Sequence, residues 1–243
     1  MSIHIHHLHP GGAVDDQAAL EQFQKQWATY QKMVDHDSLS HGQVGGILHD
    51  ALLPLVMPFN FVDIACGDAG PMKRALADTK VRHYHGIDLS EPALELAAKN
   101  LKGVPFEVEL DCSDFVEALT KRPEPADVAW CSLSIHHLTT GGKQRLLEAI
   151  CRSTSDFLMI YEPTLAEGED RAGYLERFRK VNKPLWTYYT SEEWTQIYHH
   201  VTTSDLPESA TTWLDLGRQA GFATASQLFL DPTGFYGLYR YDR

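Results

Sequence analysis

FVDIACGDAG, residues 61–70, runs an apolar stretch straight into a turn bracketed by small residues. Ala65, Gly67 and Gly70 leave the backbone bare where a strand ends, so a ligand can approach main-chain atoms without meeting a side chain. Asp63 lies inside that strand and Asp88 ends the next one, where a carboxylate can accept hydrogen bonds from both hydroxyls of a ribose or serve as a cap or turn residue. Further on, His136 and His137 follow a fourth strand and Glu162 ends a fifth. An imidazole titrating near neutrality can act as a general base or orient an acceptor; a histidine at a strand end can equally fix a loop by bonding backbone. Glu162 is placed to bind a cationic acceptor or to be an ordinary loop acid.

These groups work together only if the strands that carry them end at one edge. From Pro58 the sequence alternates strand and helix: strands at Phe61–Ala65, Val81–Leu89, Phe106–Leu110, Asp127–Leu133 and Phe157–Tyr161, with helices starting at Pro71, Glu91, Ser113 and Gly142. Ser90 and Pro92 mark the second helix start as N-cap and first-turn residue. This alternation specifies a parallel sheet with helices on both faces. It breaks between residues 164 and 207, where helical spacing is rich in aromatics, and returns as a helix near Ser209–Gly221. Two strands, Ala225–Leu230 and Phe235–Tyr239, then flank the turn Asp231-Pro232-Thr233-Gly234 and form an antiparallel hairpin. Upstream, Leu20, Phe23, Trp27 and Tyr30 recur at helical spacing, and a second helical segment runs through Ile47, Leu48, Leu52 and Leu53.

The expected fold is α/β: a doubly wound, Rossmann-like seven-stranded sheet with an antiparallel terminal strand. Its parts are an N-terminal tail and lid helices (1–57), a ligand-binding core (58–163), a helical cap insertion (164–207), and a final helix and hairpin completing the core (208–243).

The 243 residues carry a formal net charge of -12, which opposes a phosphate-backbone partner, since nucleic-acid binders use clustered Lys and Arg. Four cysteines without CxxC spacing fit a reducing compartment. MSIHIHHLHP has no apolar leader core and no stretch is apolar enough to span a membrane, so a cytoplasmic protein is expected. His4, His6, His7 and His9 lack supporting carboxylates or cysteines, and Cys66, Cys112 and Cys131 lack paired spacing, so no metal is expected.

Taken in order, VDIACGDAG, GIDLS, LDCSDF and DVAWCSLSIHHL resemble the four sequence motifs of the class I S-adenosylmethionine-dependent methyltransferases. The resemblance spans about residues 58–240 and departs from the family in placing Ala65 where glycine is usual. It implies S-adenosyl-L-methionine as cofactor, with its methionyl end over the turn from Asp63 through Ala65 to Gly67 and its ribose on Asp88. It also implies that Leu89 packs on the adenine, that Asp111 takes the adenine amino group with Asp114 as rival, that the Cys112 backbone meets a ring nitrogen, and that Ser132 lies near the amino acid moiety.

The implied activity is methyl transfer to a small-molecule acceptor by in-line displacement, in which holding the two reactants in line does much of the work. His136 and Glu162 are the candidate catalytic groups. Tyr174, Trp186, Tyr188 and Tyr189 are candidate acceptor walls, able to stack on an acceptor or shield a sulfonium, although aromatics at helical spacing are also ordinary core. Tyr30 and His41 are placed to close over the site as a lid, the plainer alternative being amphipathic packing on the sheet. The expected partner is the small-molecule acceptor, with no nucleic acid and no membrane, and a homodimer is the assembly to consider. Competing readings are aminocarboxypropyl transfer or internal cyclisation of the same cofactor, an NAD-dependent oxidoreductase, and a silent binding protein.

Overall fold

A computed structural model describes residues 29–122 and 124–243, together with the backbone of residues 3–6. The residues from 29 to 35 are helical (α1) and a turn at 36–39 leads into α2 (His41–Leu52). The helical reading over Leu20, Phe23 and Trp27 lies outside the described residues, as do His7, His9 and the side chains of His4 and His6.

The core follows as β2 (Phe59–Ile64), α3 (Met72–Ala75), β3 (Val81–Asp88), α4 (Glu91–Asn100), β4 (Glu107–Cys112), α5 (Phe115–Lys121), β5 (Ala126–Ser132), a 3-10 turn (Ile135–His137), α6 (Thr140–Arg152) and β6 (Thr154–Leu165). The cap is α7 (Arg171–Leu185) and α8 (Ser191–Ser204). It is followed by β7 (Glu208–Ser209), α9 (Ala210–Gln219), β8 (Thr224–Leu230) and β9 (Tyr236–Asp242).

The expected seven strands appear in the order β4-β3-β2-β5-β6-β9-β8. The first five are parallel, and β9 inserts antiparallel between β6 and β8. Two additions escaped the sequence reading. β1 (Ile3–His6) pairs in parallel with the edge strand β4, and the two-residue β7 pairs with the end of β6. Strand order reverses between β2 and β5, which puts the ligand crevice at their carboxyl ends.

Period-two alternation divides the apolar residues between two cores. Phe61, Tyr84, Val128, Trp130 and Met159 face α2, α4 and the cap; Val62, Ile64, Ala129, Cys131 and Ile160 face α5, α6 and α9. Helix starts are fixed by side-chain caps. Ser90 accepts from Ala93 N at 3.3 Å, and Thr190 with Glu193 forms a reciprocal capping box opening α8. Among the described residues no helix is long and apolar enough to cross a membrane.

Candidate functional site

The turn after β2 is left-handed at three places. Ala65 sits at φ 58°, Gly67 at φ 52° and Ala69 at φ 50°. Left-handed backbone is free of penalty only for glycine, so Ala65, which stands where the family pattern has glycine, is held there by its surroundings. Gly67 N donates to Asp88 Oδ2 at 2.9 Å, and Ser90 N donates to Asp88 Oδ1 at 2.8 Å. Asp88 thus ties the first turn to the end of β3, fixing the two features that sequence reading placed at one site.

A cavity of about 290 Å³ lies over this turn. Of the expected cofactor residues, Asp63, Ala65, Gly67, Asp88 and Ser132 line it, and so do the two lid residues Tyr30 and His41. The Tyr30 and His41 rings meet edge to face at 6.1 Å. His137, which follows the fourth strand, lines it as well, and so do Trp130, Leu133 and Ser134, which were not expected there. Asp63 is fully enclosed and accepts from Tyr84 Oη at 2.6 Å. Burial pushes its carboxyl up to about 7 against the opposing pull of the Tyr84 hydrogen bond, with the nearby Asp88 and Asp68 charges adding to the rise. Burial also raises Asp88, opposed by the amides it accepts from.

These residues fit S-adenosylmethionine. A Cβ built on Gly67 would meet nothing within 4 Å, so its bare backbone faces open space. Both ring nitrogens of His41 are buried with no hydrogen-bond partner among the described residues. Two acidic side chains, Asp63 and Asp88, line the cavity beside the turn. The cavity is at the lower end of the roughly 300–1,000 Å³ range of small-molecule sites.

The expected adenine contacts lie outside this cavity. Leu89 is 61% exposed, and Cys112 Sγ donates to Leu89 O at 3.7 Å, so these two share the rim beyond Asp88. Asp111 shares a strand face with Glu107 and Glu109 and lines a separate polar cavity, its Oδ2 3.9 Å from His85 Nε2. Asp114 caps α5, accepting from Val116 N and Glu117 N.

Where β5 ends, Leu133 adopts φ 53° and the 3-10 turn follows. Glu162 is 0% exposed, which removes the loop-acid alternative. Its Oε1 accepts from Ser134 N and Ile135 N at 3.1 and 2.9 Å, and its Oε2 lies 2.7 Å from His136 Nδ1 and 3.3 Å from His136 N. The carboxylate is consumed in holding His136 and its turn. Burial alone would lower the His136 pKa, but the Asp205 and Glu162 carboxylates overcome it and lift the ring to about 9. His137 Nδ1 bonds Ser204 O at 3.3 Å, the backbone-fixing role open to it from sequence.

A second cavity, about 670 Å³, lies between this turn and the cap. It shares Tyr30, Leu133 and His137 with the first, so these three residues form the partition. Of the four cap aromatics, Trp186 lines it. Tyr174 packs on Phe178 and Phe235, Tyr188 stacks on His36 with ring centroids 3.7 Å apart, and Tyr189 packs between Trp186 and Tyr188. Phe178, Ile197, Tyr236, His200 and Asp205 line the cavity and were missed. The pair His199-His200 near the end of α8, with Asp205 just beyond that helix, was the available signal.

Residues 61–156 match the family model described as a methyltransferase domain. No curated protein is detectably similar in sequence. Among solved structures, magnesium protoporphyrin IX methyltransferase from Synechocystis is 12% identical with a TM-score of 0.60, covering 93% of this chain and 99% of its own. Human N-acetylserotonin methyltransferase is 17% identical with a TM-score of 0.56, covering 82% of this chain and 51% of its own. A pyocyanin biosynthetic protein is 19% identical with a TM-score of 0.56, covering 81% and 54%. The chain thus spans about half the length of the last two. The chain thus carries a match to a methyltransferase domain over residues 61–156, and its sheet order with the inserted antiparallel strand is the fold it shares with these methyltransferases.

Proposed function

We propose that the chain methylates a small, flat, largely apolar acceptor carrying one hydroxyl. The observation that carries this reading is the partition: the acid-flanked cavity and the aromatic cavity meet at Tyr30, Leu133 and His137.

S-adenosylmethionine, when bound, supplies a methyl on a cationic sulfur, and transfer leaves the C–S electron pair on sulfur as a neutral thioether. Asp63 holds the ammonium end and Asp88 the ribose. Leu89 and Cys112, on the rim beyond Asp88, would border the adenine. Gly67 presents bare backbone, and Tyr30 and His41 of the lid helices exclude water. In the second cavity Trp186 and Phe178 hold the acceptor's plane, and Tyr174, Tyr188 and Tyr189 brace that wall from behind. An acceptor hydroxyl directed at His136 and Asp205 would pass its proton to the Asp205 carboxylate oxygen, which has no donor among the described residues, leaving its lone pair to meet the methyl that the cofactor would supply. Glu162 is a positioning residue, since it fixes the His136 ring through Nδ1. Much of the rate comes from keeping oxygen and methyl in line in a space closed to water.

The N-terminal tail and lid helices (1–57), core (58–163), cap (164–207) and terminal elements (208–243) would then carry cofactor closure, cofactor binding, acceptor choice and sheet completion. The test is incubation with methyl-labelled S-adenosylmethionine and a panel of planar phenols and enols, reading label in the acceptor and formation of S-adenosylhomocysteine. Formation of methylthioadenosine instead would assign the chain to aminocarboxypropyl transfer.

A further inference from the structure

Asp205 is 4% exposed, and its Oδ1 has no hydrogen-bond donor among the described residues. Three imidazole nitrogens surround that oxygen: His136 Nε2 at 3.5 Å, His200 Nε2 at 3.7 Å and His137 Nδ1 at 3.9 Å. These separations are at or beyond the limit of a hydrogen bond. They suit a different arrangement, because two donors each about 2.1 Å from a tetrahedral ion lie about 3.4 Å apart. One donor atom from each of His136, His137 and Asp205 falls within 4.8 Å of the others.

The surroundings match what metal sites require. Glu162 Oε2, 2.7 Å from His136 Nδ1, accepts that N–H, so an ion that displaces the proton from Nε2 completes the carboxylate–histidine–metal arrangement of many such sites. His137 and His200 are partly exposed, and His137 Nδ1 reaches an ion by giving up its 3.3 Å bond to Ser204 O. The remaining side opens on the 670 Å³ cavity, leaving a coordination position for a ligand, as catalytic sites do.

We propose that His136, His137 and Asp205, with His200 at the rim, bind one divalent first-row transition cation, and that this ion ligates the acceptor's oxygen in the larger cavity. Imidazoles with one carboxylate select such an ion over magnesium or calcium, which prefer oxygen donors. The site itself stands on the cluster's geometry; its role toward the acceptor rests on the methyl-transfer reading. Sequence spacing gave no sign of it, because Asp205 is distant in sequence from the two neighbouring histidines.

The test is titration of the full chain with cobalt(II), followed by calorimetry and visible absorption, with S-adenosylmethionine binding measured in parallel as a check on the fold. The wild type is expected to bind an ion that Asp205→Asn weakens by about 100-fold or more, and Glu162→Gln by the ~10–100-fold typical of a lost outer-shell partner. Absence of cobalt binding in the wild type overturns the site. So does unchanged affinity in Asp205→Asn, which would assign the ion to the N-terminal histidines. If Asp205→Asn does not fold, His137→Gln replaces it at a part-exposed position, and unchanged affinity there is equally fatal. Cation binding without any consumption of S-adenosylmethionine would sink the methyl-transfer reading and leave the metal site standing.

Discussion

Replacing Asp63 by Asn separates the charge of this buried carboxyl from its shape. Asn keeps an oxygen to accept from Tyr84 Oη, which lies 2.6 Å from the native carboxylate, so the packing survives. Because the carboxyl titrates at about 7, only its ionised fraction can pair with the cofactor's ammonium. Linkage then makes the apparent affinity for S-adenosylmethionine about tenfold weaker at pH 6 than at pH 8, with nearly one proton released per cofactor bound at pH 6. In Asp63→Asn this dependence disappears, and affinity at pH 8 falls by about 10–100-fold, as expected for a charged hydrogen bond worth roughly 1.5–3 kcal/mol. Calorimetric titrations from pH 6 to 8, in buffers of differing ionisation enthalpy, read both affinity and proton count. The cofactor's own amine titrates with the opposite sign and shows alone in the variant. Two results refute the reasoning: a wild-type affinity that is flat with pH, or the same slope in Asp63→Asn. The second would move the titration to Asp88, whose carboxyl is also raised by burial.

The same shift bears on stability. Between pH 3.8 and about 7 the folded carboxyl keeps a proton that the unfolded chain has lost, so stability falls as pH rises through that window. Denaturant titrations should therefore find Asp63→Asn more stable than the wild type at pH 8, by up to ~4 kcal/mol for a shift of about three units, and not at pH 4. Gly67→Ala, at φ 52° with open space around its Cβ, is expected to lose about 1–2 kcal/mol of stability. Its cofactor affinity falls by a larger factor, because the added methyl occupies the approach to the turn; calorimetry on the folded variant checks this. Ala65→Gly, relieving φ 58°, should gain up to ~1 kcal/mol in denaturant titration. Glu162→Ala strips the acceptor from three backbone amides and the His136 ring, and a loss of about 3–5 kcal/mol is expected by the same measurement. Trp186→Leu should raise the acceptor KM while leaving the S-adenosylmethionine Kd unchanged.

The cofactor cavity was legible because each of its groups belongs to a local element whose end the sequence marks. Asp63 is one step from a strand end, Gly67 sits in the turn, and Asp88 precedes a capped helix. Strand register was harder to read. Asp111 shares its β4 face with Glu107 and Glu109 rather than with the buried Val108, Leu110 and Cys112, and a single acid-rich segment does not reveal which face meets the ligand. Asp114 had a clear local explanation in the helix it caps. The cap resisted for a different reason, since core and pocket wall have the same helical spacing. Tyr174 is fully enclosed by Phe178 and Phe235, and only the three-dimensional path of α7 separates it from Trp186. Asp205 joins His136 through tertiary packing alone, and no local pattern announces such a meeting.

The short pairing of β7 with β6 has a consequence for how such a chain diversifies. Thr164 sits in register with Glu208 and Leu165 with Ser209, so the segment leaving the sheet returns to the spot from which it departed. Lys143, reaching Glu208 Oε1 at 2.8 Å and Leu206 O, clamps the returning strand. The excursion is thus a closed loop on a fixed base, and the sheet does not register its length. Doubling such a loop adds only about 0.6 kcal/mol of closure entropy. A graft of a foreign helical pair between Leu165 and Glu208 should leave cofactor binding intact while exchanging the pocket above it, making this junction the natural seam for recombination.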